Sequence, residues 1–401
     1  MADYFYTKHG EGRRRGAGWR DSRPFALLAN DLRDARPGDR FAIGFPNFGE
    51  NPVDWTGANL VVQRSGAPGR PIRIEAGYGV GQAELRAARG AGGAFFLAPN
   101  SMRARVGAPL RINGASYVEV SGLRVDGASA DGVIKFGPGA SNNVALRGFS
   151  VRNAGRAIET DRGAQIRNLL VEDCDAFALS RGFARFWQLD QSVLRNLTLD
   201  ANRVDLGGGN VTQLIAVAAG SEVRFENIQF RNAVNTRDYV QGDGLVCERG
   251  TRRFVVRNCH AEGMGDGGFD LKTTDVTVED CTAAACKYGL RIWSMGRNVV
   301  RRCVIRDPRR YGAQSGACVE AHGRAEFTDC QFEAGAGAAI FRLSTGGEGP
   351  PALRVTGGAI RLENGAELVS GDREGGVELV NVAVNGHARS GHFSAGQRLG
   401  G

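Results

Sequence analysis

Along most of this chain, polar and apolar residues alternate over runs of about five positions, and each run closes on an apolar or small residue. The pattern recurs at Tyr117–Leu123, Asn143–Phe149, Gln165–Leu169, Val193–Leu197, Val223–Ile228, Phe254–Cys259, Val276–Cys281, Val299–Cys303, Glu326–Cys330, Leu353–Gly358 and Glu378–Val382. A period of 2 is that of a strand with one face buried. The closing residues lie between 20 residues apart (Phe149 to Leu169) and 31 apart (Leu197 to Ile228). Repeats of that length are whole supersecondary units that bury their apolar faces against one another.

The eleven segments therefore predict an all-β chain, a right-handed parallel β-helix of about 11 or more coils. Each coil is one turn of a three-faced solenoid, with loops of variable length. Asn168, Asn196, Asn227, Asn258 and Asn381 precede the inward closing residue, which suggests a stacked side-chain ladder with a structural role. Cys259, Cys281, Cys303 and Cys330 take the next position and should stack inward as small apolar thiols. Ahead of the repeats, residues 24–36 place apolar side chains at helical spacing and stop at Pro37-Gly38, as an N-terminal capping helix would. Such a cap covers strand edges that would otherwise invite association. The organisation expected is a single domain over 1–401. It comprises a cap region at 1–40, solenoid coils over about 40–385, and a frayed or capping tail over about 386–401.

Composition changes this picture only a little. The 59 glycines follow no triplet period and read as recurring turn residues. Eight cysteines form no Cys-x-x-Cys pair, and most sit inside the strand pattern, so neither a disulfide framework nor a thiolate metal site is expected. A net charge of +8 favours a polyanionic partner. Arg13-Arg14-Arg15 and Arg301-Arg302 are short clusters with no nucleic-acid motif beside them, so an acidic polysaccharide is preferred over nucleic acid. No run of about 18 apolar residues predicts a membrane span, and Met1–Tyr6 has no signal-peptide core. The function class below implies a secreted or periplasmic protein; residence in the cytoplasm and the oligomeric state stay open.

A second alignment of the coils carries the chemistry. Gly244–Glu248, Gly268–Lys272, Gly289–Trp293, Ala317–His322 and Ala339–Leu343 fall on neighbouring rungs. With Leu245, Phe269, Leu290 and Val319 inward, Asp270, Arg291, Glu320 and Arg342 form one outward row, and Glu248, Lys272, Trp293 and His322 the next. Rungs lie about 4.8 Å apart, so this is a flat strip of alternating charge. Tyr239, Tyr288, Trp293 and Tyr311 add aromatic surface beside the charges, and sugar rings need both.

The run from Gly242-Asp243-Gly244 through Asn258-Cys259, Gly265-Asp266-Gly267-Gly268-Phe269-Asp270-Leu271 and Asp280-Cys281 to Tyr288-Gly289-Leu290-Arg291 resembles the catalytic centre of the calcium-dependent pectate lyases of polysaccharide lyase family 9. The likeness covers some 50 residues; elsewhere only the general solenoid is shared. The resemblance implies that Asp243, Asp266 and Asp270 bind Ca²⁺ and that Arg291 stands where the family has its catalytic Lys. Gly267 replaces one further calcium carboxylate. On these expectations Arg291, with Lys272 or His322 in reserve, removes the proton at carbon 5 of a uronate. Ca²⁺, Lys272 and Lys287 neutralise the uronate's carboxylate, and β-elimination breaks the glycosidic bond. Trp293, Tyr288, Lys287, Glu320, Tyr239 and Arg342 would bind the substrate.

Other chemistries fit the same strip. An inverting glycoside hydrolase could use Asp270 and Glu320, two rungs apart. A uronate C-5 epimerase begins with the same proton abstraction. A non-enzymatic polysaccharide-binding or tail-fibre protein needs neither.

Overall fold

The computed structural model describes the chain except for residues 8, 11, 17, 19–20, 45–59, 77–109, 129–131, 206–210, 237–239, 313–314 and 398–401; at 124 and 126–128 only the backbone is described. Tyr239 lies outside the described residues. The architecture is the expected right-handed parallel β-helix. It divides into two compact units, Met1–Leu197 and Thr198–Gly401.

In the first unit, Asp3–Thr7 already forms a strand, in parallel register with Arg40–Ile43. Ile72–Ala76, Val118–Ser121, Gly139–Arg147 and the start of Ala164–Phe186 then stack in turn. The coils thus begin before the helix, earlier than the alternation pattern suggests. The helix is also shorter than expected: a 3₁₀ turn at Phe25–Leu27 leads into an α-helix at Leu28–Arg33. Phe25, Leu28 and Leu32 are buried, and Asp31 accepts a 2.6 Å hydrogen bond from the Tyr6 hydroxyl. That bond ties the helix to the first strand.

In the second unit three columns of short parallel strands repeat. The Cys259, Cys281, Cys303 and Cys330 thiols lie buried on successive coils, and all eight cysteines are free. The Cys259 N–H donates to Cys281 Sγ at 3.4 Å, as expected of an inward stack. The recurring asparagines have a further cause. Asn168, Asn196, Asn227, Asn258 and Asn381 have φ between 52° and 55°, and Asp280, Arg302 and Asp329 continue the column at 55°, 50° and 53°. One left-handed residue turns the chain between two faces of the coil, and Asn adopts that conformation at least cost among residues with a Cβ. The backbone selects these asparagines.

The tail is an ordered hairpin rather than a frayed end. His387–Phe393 pairs antiparallel with Gly376–Val384 across Asn385-Gly386, whose φ values are 47° and 85°. Two residues with positive φ make the tight turn that fits strand twist. The hairpin covers the edge of the last coil.

Candidate functional site

The strands Asp243–Arg252, Gly267–Leu271, Tyr288–Ile292, Ala317–Ala321 and Ala339–Leu343 form one face of the second unit. Leu245, Phe269, Leu290, Val319 and Phe341 are in register and buried. One residue further, Asp270, Arg291, Glu320 and Arg342 are paired rung by rung, as the alternation requires. Lys272, Trp293 and His322 follow in the next row, each donating its backbone N–H to the coil before.

Arg291 is the centre of this face. Its Nε donates to Glu320 Oε2 at 2.7 Å and its guanidinium to Asp266 Oδ2 at 3.0 Å, with Asp270 Oδ2 at 3.7 Å. Its Cζ lies 5.3 Å from the Tyr288 ring centroid and 5.0 Å from that of Trp293. Asp270 accepts the Trp293 indole N–H at 2.7 Å and lies 3.2 Å from Lys272 Nζ. Lys272 in turn donates to both oxygens of Glu248 at 3.0 Å. Lys287, only 1% exposed, stands 3.7 Å from Asp266. His322 stacks on Trp293 with centroids 3.6 Å apart, and its Nδ1 faces the Thr345 carbonyl at 3.2 Å.

Asp243 differs from the other carboxylates. It accepts the Gly267 N–H at 2.8 Å, and no cation lies at ion-pair distance among the described residues. Burial, with Asp266 and Asp270 nearby, pushes its pKa up to about 8, against the pull of Arg291 and the Gly267 N–H. Burial alone would also raise Glu320, but His322 and Arg291 outweigh it and hold that carboxyl at about 2. Burial opposes the charge on Arg291, yet Asp270, Asp266, Glu320 and Asp243 outweigh it and raise the pKa further. Lys272 is raised too, because Asp270 and Glu248 exceed its desolvation, whereas desolvation prevails at Lys287 and lowers it.

These contacts show how the expected site residues are held. Arg291 is bonded to carboxylates on both sides, which favours its charged form. Lys272 is held charged in the same way. Asp270 and Glu320 both face cations. Tyr288 is 1% exposed and packs with Ala317 and Ala339, a floor beneath Arg291 instead of an open plate for a sugar. Trp293 has one ring face covered by His322. Tyr311 has Arg203 and Arg309 as its charged neighbours, away from this cluster. Arg342 is 30% exposed, with Nε 3.9 Å from Glu320, and is the most accessible cation of the row.

Calcium does not fit the donor set as it lies. Ca²⁺ takes six to eight oxygens converging on one point. Here the Asp266 and Asp270 oxygens are turned to Arg291, Lys287, Lys272 and Trp293, while Asp243 is turned to a backbone N–H. Among the described residues no three His, Cys, Asp or Glu side chains are grouped to hold a metal. A Cβ at Gly267 would lie 3.1 Å from Asp243 Oδ1 and 3.3 Å from Arg291 Cδ, so the missing side chain leaves the room in which Arg291 lies.

Comparison with known proteins agrees with this fold. Residues 191–349 match the family described as the right-handed β-helix region. No curated protein matches the sequence. Among solved structures, a mannuronic acid specific polysaccharide lyase of family 6 from human gut microbiota is similar at 10% identity, over 93% of this chain and 83% of that one, with a TM-score of 0.53. The catalytic domain of a glycoside hydrolase family 87 α-1,3-glucanase, bound to nigerose, is similar at 9% identity, over 94% and 68%, with a TM-score of 0.55. Pectate lyase Pel9A is similar at 12% identity, over 83% and 76%, with a TM-score of 0.45. At such identities the likeness is one of fold, and function must be argued from the site.

Proposed function

We propose that the face around Arg291 cleaves glycosidic bonds of an acidic polysaccharide by hydrolysis, with Asp243 as the acid. The supporting observation is the contrast between Asp243, with no cation at ion-pair distance among the described residues, and Asp266, Asp270 and Glu320, which each face one. Neighbouring carboxyls whose environments drive their pKa values apart are the usual division between acid and base. Asp243 gives its proton to the glycosidic oxygen as the carbon–oxygen bond breaks. Asp270, oriented by the Trp293 N–H, takes a proton from the water that adds to the anomeric carbon. Arg291 keeps the remaining carboxylates charged and fixed. Arg342 at the rim favours a substrate that carries carboxylates.

β-Elimination is the second reading, and one observation favours it. Lys287 is buried beside Asp266 with a lowered pKa, the condition in which a lysine can act as a base. Elimination also requires that the substrate carboxylate be neutralised, yet Arg291, Lys272 and Lys287 already face carboxylates of the protein. The two readings separate in one assay on pectate, alginate and glucuronan. New reducing ends without the ultraviolet absorbance of an unsaturated uronate mean hydrolysis. A rise in that absorbance would replace it with elimination and move the base to Lys287.

A further inference from the structure

The first unit carries a second cluster of charge around one aromatic ring. Ile134–Phe136, Ser150–Thr160 and Ala164–Phe186 run side by side, with Ile158 in register with both Ile134 and Ala184. Just past the last strand, the Trp187 N–H donates to Thr160 Oγ1 at 2.9 Å, and the Thr160 hydroxyl donates to the Arg185 carbonyl at 3.1 Å. Thr160 is buried, so the indole is held by a fixed backbone. The Arg185 Cζ lies 4.4 Å from the Trp187 ring centroid and the Arg162 Cζ 4.8 Å. Both guanidiniums are therefore held on one ring by cation–π attraction.

Neither of these two arginines has a carboxylate at ion-pair distance among the described residues. The nearby carboxylates are already engaged: Asp161 lies 2.8 Å from Lys135, and Glu159 pairs with Arg156. Behind them Arg156 is buried, donates to the Arg181 carbonyl at 3.1 Å and leaves its Nε without a partner. Lys135 and Arg156 take up Asp161 and Glu159, which leaves the Arg162 and Arg185 guanidiniums on the Trp187 ring with no carboxylate at ion-pair distance among the described residues. Ordering two arginines costs rotamer freedom, and their charges repel. An anion bound at these guanidiniums would offset both, with bidentate geometry available to a carboxylate.

We infer that Trp187, Arg162 and Arg185 form a second binding site, a clamp for the carboxylates of a uronate-containing polysaccharide chain. The choice of polymer rests on the reading of the Arg291 face; the anionic chemistry rests on the clamp. A single ring flanked by cations suits one charged sugar, whereas single-stranded nucleic acid is bound by several stacking rings along a groove.

The test is affinity electrophoresis of the full-length Asp243→Asn protein, which does not degrade the gel polymer, through gels containing polygalacturonate, polymannuronate or neutral dextran. Retardation by a uronate polymer and not by dextran is expected. Arg162→Gln with Arg185→Gln should lower that affinity by about tenfold or more, the loss of one charge-assisted contact. Trp187→Ala should do the same by releasing both arginines, and the thermal midpoint of the arginine pair should stay that of the parent. Unchanged retardation in the arginine pair, equal retardation by dextran, or tighter binding to a single-stranded oligonucleotide would each overturn the clamp. If wild-type protein cleaves no polysaccharide yet retardation depends on the arginines, the hydrolase reading falls and the clamp stands. Cleavage with arginine-independent retardation removes the clamp alone.

Discussion

Two charge ladders run along the second unit, and they differ in solvent rather than in composition. On one face Arg257, Glu279 and Arg301 stack in register, and beside them Arg302 meets Asp280 at 2.7 Å. The Arg257, Arg301 and Arg302 side chains are 50%, 45% and 53% exposed, around a Glu279 that is 11% exposed. On the other face Asp270, Arg291 and Glu320 stack in register, yet their side chains are 5%, 11% and 8% exposed. The strand geometry is the same, and so are the residue types. Water screens the first ladder and leaves each pair close to neutral in its effect. Exclusion of water makes the second a site in which one proton more or less changes the balance, and where Asp243 retains a proton that an exposed carboxyl would lose. A charge ladder on a solenoid becomes a candidate site through burial, which the sequence pattern alone does not report.

The comparison can be broken at several points. The largest effect is expected at the acid: Asp243→Asn should lower turnover by about 10²–10⁴, the contribution of general acid catalysis, with little change in substrate affinity. Loss of affinity with turnover intact would make Asp243 a binding group. Next, Arg291→Ala should destabilise the fold by about 3–5 kcal/mol in urea denaturation, because it leaves buried Asp266 and Glu320 with only the more distant Lys287 and Arg342. Arg302→Ala, on the exposed ladder, should leave the midpoint unchanged. Equal responses from the two variants would erase the distinction between the faces.

A smaller effect is expected from pH. Turnover should fall about tenfold per unit above pH 8, as Asp243 loses its proton. The folded chain holds this proton more tightly than the unfolded chain does. Its contribution to stability is therefore full below the ordinary carboxylate range and gone above about 8. Glu320 works in the opposite sense: its contribution is present above the ordinary range and is lost as pH falls towards about 2. A turnover profile flat through pH 8 to 10 would remove Asp243 as the acid. The smallest effect is none at all: excess chelator should leave turnover unchanged, since Arg291 occupies the space among the carboxylates. Loss of turnover, restored by Ca²⁺, would return calcium to the account.

The fold was largely legible because a period of 2 inside a period of 20 to 31 admits few architectures. The inward thiol stack and both outward rows followed from the same alternation. What was missed lies where local chemistry overrides it. Asn385-Gly386 between two alternating runs is a hairpin signal, and it fell in a stretch read only by composition. The asparagine column reflected φ, which a side-chain argument does not reach. In the site, spacing placed Arg291 between Asp270 and Glu320 but gave no distances and did not bring in Asp266. Only the structure shows a guanidinium bonded to carboxylates on two sides. Likewise Tyr288 and Trp293 were rightly placed beside the charges, while their burial and stacking partners were beyond any pattern in the chain.

The central claim is that a protonated Asp243 beside ionised carboxylates cleaves a glycosidic bond with water. Product analysis tests it most directly: wild-type protein and Asp243→Asn are incubated with pectate, alginate and glucuronan, and reducing ends are counted beside the ultraviolet absorbance of unsaturated uronate. The account predicts reducing ends from at least one polymer with the wild type, no absorbance, and no growth of reducing ends in the variant. Unsaturated product from the wild type, or full cleavage by Asp243→Asn, would contradict it.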